Sequence, residues 1–330
     1  MGGYCLRSEG TGRQLWAWRL CVMSVPATMA LAGQGWLWVL AGSGLATAVM
    51  ALQLGLQRRA GMSTAQALVP AYGAAGGRIL ALLTLLWLAA AAAAAAFACQ
   101  IAFEDDLGIL APAVPLLLAA VSTRHSSAVP ERVMGVIGPI LATLYSIILI
   151  AALRHVEPAW CQPRGNTTDG ALAFCLLLAP VCLTYGEKRT AKLSWPAIGT
   201  LAVLPGAVAL LVRACLSPEL AQTQALPLYM MTKSLSVLSV MQRFEVLLSV
   251  CQMLGIYAVL CMLAQATEGV QSVIGGREWG TGWFCVLAFA GSLVIARVPL
   301  WIWAIGGGIF WGMIPILTQV IVNIKNNRKI

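Results

Sequence analysis

The chain is predicted to be an all-α integral membrane protein of about ten transmembrane helices, each needing about 20 apolar residues. Three observations predict this. Of 330 residues, 60% are hydrophobic and 10% charged, with a mean hydropathy of +0.83, whereas a soluble domain carries about 25% charge. Apolar runs of spanning length recur from end to end with short polar connections. The basic residues fall in alternate connections, the pattern of cytoplasmic loops.

The expected spans cover residues 14–31, 35–56, 76–103, 107–123, 133–153, 170–186, 195–216, 243–266, 281–296 and 299–322. Trp16, Trp36, Trp160, Trp195, Trp279 and Trp301 stand near their borders, where amphipathic rings suit the membrane interface. With the N-terminus in the cytoplasm, the inner side receives Arg7, Arg13, Arg19, Arg58, Arg59, Arg78, Arg124, Arg132, Lys188, Arg189, Lys192, Arg277, Lys325, Arg328 and Lys329. Arg154, Arg164, Arg213, Lys233, Arg243 and Arg297 fall outside or at the eighth span. Both termini are therefore expected in the cytoplasm, with the first span retained rather than cleaved as a signal peptide.

Each span carries its own local signal. The first is interrupted at Ser24-Val25-Pro26-Ala27-Thr28 and the sixth at Leu178-Ala179-Pro180-Val181. Proline lacks the N–H that continues a helix, so each break frees backbone groups, and paired breaks in two halves of a membrane chain point to a midplane ligand site. Ser24, Pro26, Ala27, Thr28, Pro180 and Thr184 are the candidate ligand-binding residues. Ala89–Ala96 in the third span offers a small-residue face for close helix packing, as does Gly306-Gly307-Gly308 in the last. The fourth span is short and carries Pro112 and Pro115, which predicts irregularity. Ala221–Met241 is too polar at Lys233 and Ser234 for a span and reads as an outer loop with surface helix. Arg243 and Glu245 open the eighth span as a gating or structural pair, Glu245 lying near the N-terminal dipole.

Several function classes are excluded by what the chain contains. The net charge of +9 is spread over loops, not gathered into a nucleic-acid stripe. Of ten cysteines most sit in apolar runs without paired spacing, as small buried hydrophobes rather than metal ligands. His125 and His155 are expected on opposite sides of the membrane, so no metal site and no Ser/His/Asp set is expected. No cofactor is expected, and an enzymatic role is not.

A wider pattern then emerges in order along the chain. Arg13-Gln14-Leu15 opens the first helix, followed by Pro26 and then Ala32-Gly33-Gln34-Gly35-Trp36 before the second. Tyr72-Gly73 and Gly76-Gly77 precede the third, and Ser126 to Pro139 lead into the fifth. Leu226-Pro227-Leu228, Ser234-Leu235-Ser236 and Gln242-Arg243-Phe244-Glu245 precede the eighth. This series resembles the B subunits of spore germination receptors, the GerAB-type permeases of the amino acid-polyamine-organocation superfamily. The chain resembles a divergent member. No glycine stands in Leu20–Val25, Gly35 occupies a position where an acidic residue is common, and Gln242 one where Glu is common.

The resemblance implies a single polytopic domain over residues 1–330 with a LeuT-like fold, two inverted five-helix repeats at about 14–153 and 170–322. It implies a small amino acid germinant bound between helices one, three, six and eight, whose binding triggers ion release. It implies an A-type receptor subunit and a C-type lipoprotein as partners, in the inner spore membrane or bacterial cytoplasmic membrane. The alternatives are an amino acid or amine transporter of the same fold, and a ligand-free membrane scaffold subunit.

Overall fold

The computed structural model describes residues 21–23, 35–103, 108–125, 129–162, 165–186, 195–224, 226–234, 244–275, 282–295, 298 and 300–327. All regular structure among them is helical, and seven helices are long and apolar enough to cross a membrane. The protein is an all-α membrane protein. Two shorter apolar helices, Ala113–Thr123 and Gly282–Ser292, accompany the seven.

The helices are α1 (Trp36–Ala60), α2 (Thr64–Ala102), α3 (Ala113–His125), α4 (Val129–Ala152), α5 (Thr167–Leu178) and α6 (Leu183–Gly186). They continue as α7 (Trp195–Cys215), α8 (Pro218–Thr223), α9 (Pro227–Ser234), α10 (Phe244–Ile274), α11 (Gly282–Ser292), α12 (Leu300–Gly307) and α13 (Ile314–Asn327). The expected loop segment Ala221–Met241 holds α9 and the last residues of α8, which begins before it at Pro218. The expected short fourth span is α3, preceded by a 3-10 turn at Gly108–Leu110. Arg213, placed outside by the charge pattern, is fully buried in the last turn of α7, where the helix dipole favours a cation.

At 39 residues, α2 would be about 58 Å long if straight, twice the hydrocarbon thickness. It is not straight. Gly73 takes φ 80 and ψ 173, a backbone region open to glycine, and divides α2 into Thr64–Tyr72 and 74–102. The two parts lie so close that a Cβ at Gly77 would stand 2.8 Å from the Val69 Cα. Ser63 caps the first part in a reciprocal box with Gln66.

Small residues set the helix spacing. A Cβ at Gly42 of α1 would collide with the Gly170 carbonyl of α5, and one at Gly291 of α11 would lie 2.8 Å from the Ala93 Cβ. Ala92 and Ala96 are fully buried, so the alanine run is a packing face. At one end of the bundle the Asp169 Oδ2 accepts from Gly35 N at 3.2 Å and Asn166 N at 3.0 Å. There Trp36 Nε1 also donates to the Cys161 carbonyl at 3.1 Å. These bonds join the starts of α1 and α5, and Gln57 Nε2 joins their far ends through the Thr184 carbonyl at 3.1 Å. Cys175 Sγ on α5 donates to the Ala304 carbonyl on α12, and Gly312 lies against Leu178. Accordingly α1, α5–α6 and α12–α13 run side by side in one direction.

Candidate functional site

Pro180 is buried and has no N–H to give Leu176, four residues before it. The helix answers by tightening. Ala179 N donates to the Leu176 carbonyl, and residues Ala179–Cys182 form a 3-10 turn before α6 resumes. The backbone stays right-handed through the turn, and Leu183 N takes the Pro180 and Val181 carbonyls. The Leu176 carbonyl that Pro180 frees is thus engaged by the chain's own backbone.

A second irregularity faces the first. Between α12 and α13, Gly308–Met313 form a π-helical stretch in which Ile314 N reaches back five residues to the Ile309 carbonyl. In that register the Phe310 carbonyl would accept from residue 315, which is proline and has no donor. Tyr185 supplies the donor instead, its hydroxyl bonding the Phe310 carbonyl at 2.7 Å. One side chain therefore ties the two irregular segments together.

Aromatic rings surround this bridge. Trp87 of α2 stacks on Phe310 at 5.4 Å and 12°, and meets Trp311 edge-on at 5.5 Å and 67°. Trp303 lies 5.5 Å from Trp87 at 46°. A Cβ at Gly306 would overlap the Trp87 ring, so the glycine run admits this indole, while Gly307 fits against Cys175. Trp87 is 8% exposed and Trp311 6%, yet neither indole N–H has an acceptor among the described residues. Leaving a buried donor unmet costs about 1–3 kcal/mol, so each points to an acceptor still to come.

On the far side of the 3-10 turn lies a buried polar seam. Gln53 Nε2 donates to Thr64 Oγ1 at 3.1 Å, Thr64 Oγ1 to Thr184 Oγ1 at 3.0 Å, and Thr184 Oγ1 to the Val181 carbonyl at 2.8 Å. This chain joins α1, the first part of α2, and α6. Its members are neutral donors and acceptors, suited to holding a solute and not to transferring a proton.

Of the sequence-predicted residues, the structure brings Pro180 and Thr184 together with α1, α2 and α12–α13. Ser24, Pro26, Ala27, Thr28 and Arg243 lie outside the described residues, and so does the Glu245 side chain at the start of α10. Sequence reasoning missed Gln53, Gln57, Thr64, Trp87 and Trp311. The legible signal was Gln53 and Gln57, four residues apart in an apolar run and so on one face.

No protein-family model matches this chain, and no curated protein matches it. The functional reading therefore rests on the residues themselves.

Proposed function

We propose that this chain is a germinant-sensing membrane subunit of a spore germination receptor, which binds a small amino acid among its helices and thereby triggers ion release. The single observation that carries the reading is the meeting of the 3-10 turn at Pro180 with the π stretch at Gly308–Met313, bridged by Tyr185. Interrupted helices facing each other at membrane depth are the usual build of a midplane solute site. The indole donors of Trp87 and Trp311 suit the ligand carboxylate. Binding there would favour one arrangement of two helices whose hydrogen-bond registers are already displaced, and so shift a conformational equilibrium.

The fuller reading has ten spans in a LeuT-like 5+5 inverted repeat with both termini cytoplasmic. The first span would carry Ser24, Pro26, Ala27 and Thr28 to the ligand, and Arg243 and Glu245 would gate or brace the eighth. The partners would be an A-type subunit and a C-type lipoprotein, in the inner spore membrane or the bacterial cytoplasmic membrane.

Pro180→Leu and Pro26→Leu should impair the germination response to amino acids while both variants remain in the membrane. A normal response from both defeats the reading. A transporter is the second reading, favoured by the polar seam that continues the route past the 3-10 turn toward Gln53. Ion-gradient-dependent uptake of labelled amino acid into proteoliposomes would establish transport. A chain that binds no amino acid at all is a scaffold.

A further inference from the structure

Gln319 of α13 is 0% exposed, and neither its Oε1 nor its Nε2 has a partner among the described residues. Gln53 of α1 is also 0% exposed, and its Oε1 is likewise unpartnered while its Nε2 holds Thr64. Helix register places the two amides within about one turn of each other. Asn323 Nδ2 donates to the Leu56 carbonyl at 3.2 Å, and Val322 is buried with Ala60, Ala67 and Ala71. One turn back on the buried face of α13 is Gln319, and one turn back on the same stripe of α1 is Gln53. Since α1 and α13 run in the same direction, both residues fall on the buried faces along which α13 packs against α1 and α2.

We propose that Gln53 and Gln319 form a second binding site, beyond the one at Trp87 and Pro180, for a small solute that carries both hydrogen-bond donors and acceptors and no net charge, such as a zwitterionic amino acid. The chemistry of the atoms selects this class. Two amide oxygens seek a donor, which the solute's ammonium supplies, and one amide nitrogen seeks an acceptor, which its carboxylate supplies. A bare cation would leave Gln319 Nε2 unmet, and a bare anion would leave both oxygens unmet. The site is closed from below by the last helix. Lys325 Nζ donates to the Pro70 and Ala71 carbonyls at 2.7 and 2.9 Å, where the bend at Gly73 ends the first part of α2.

The test uses the full chain in lipid nanodiscs, with melting temperature followed against glycine, L-alanine and L-asparagine. At least one should raise the melting temperature of the wild type. Gln319→Leu should melt at or above the wild type without solute, because an unmet buried amide has gone. Its half-saturating solute concentration should rise about tenfold or more, the effect of losing a hydrogen bond in a buried site. Gln53→Met should shift it in the same direction, which covers failure of Gln319→Leu to fold. An unchanged response in both variants overturns the proposal, and so does a wild type that no solute stabilises, which would leave the amides to water alone. If Pro180→Leu abolishes the response and the glutamine variants do not, the site at Trp87 stands and the second one falls; the reverse pattern removes the first and keeps the second.

Discussion

The two irregular segments, Ala179–Cys182 and Gly308–Met313, depart from the α-helix in opposite senses. The first is wound too tightly and the second too loosely. The tight segment repairs itself locally, since Ala179 N takes up the Leu176 carbonyl that Pro180 leaves. The loose one cannot, because its natural donor to Phe310 would be Pro315, and it borrows a hydroxyl from α6. A helix break closed by its own backbone is independent of its neighbours, whereas one closed by another helix moves with it. This makes Tyr185 the coupling between them.

Gly306→Leu should have the largest effect, because its side chain would have to displace the Trp87 ring from the last helix. A loss of about 3 kcal/mol is expected as a lower melting temperature in nanodiscs. Tyr185→Phe tests the coupling itself. It should cost about 2 kcal/mol by leaving the Phe310 carbonyl unmet, and should speed amide exchange in 308–313 while leaving 179–182 as before. Faster exchange in both segments would break the contrast drawn between them. Thr184→Val should cost about 1 kcal/mol, through the hydroxyl chain from Thr64 to Val181. Gly308→Ala, where an added Cβ meets nothing within 4 Å, should stay within about 0.5 kcal/mol of the wild type. A large loss there would mean that the π stretch itself requires glycine, and the contrast would then rest on the chain and not on Tyr185.

Much of the helical layout could be read from residues. The break at Pro180, the packing role of Ala89–Ala96, and helix in the loop before the eighth span were expected; of the expected packing run Gly306-Gly307-Gly308 only the first two glycines meet a neighbour, and Gly308 faces open space. Proline by itself was a weaker guide than its place in the sixth span suggested. Pro139 lies within α4 and Pro205 within α7, and both helices run on. The eighth expected span, 243–266, extends as α10 to Ile274, because Gln265, Thr267 and Glu268 look like a helix end only until a neighbour covers them; Gln265 and Thr267 are buried.

The candidate site was half legible. Thr184 was singled out, but the residues that give it meaning, Gln57 and Thr64, lie more than 110 positions away in the chain. The π stretch had a signal in Pro315 behind a glycine run, yet no periodicity distinguishes a five-residue from a four-residue hydrogen bond over one turn.

The sequence alone determined that this protein lives in a bilayer as a set of helices, because solvent preference is a sum over residues and backbone satisfaction in lipid admits few alternatives. It also determined where the sixth helix would break, because a missing N–H is a property of one residue. Only the tertiary structure decided which polar atoms were met and which were not. The indole N–H groups of Trp87 and Trp311, the Gln53 Oε1 and the Gln319 amide are distinguished by what surrounds them, and burial without a partner among the described residues is a relation between helices that no single stretch of chain contains.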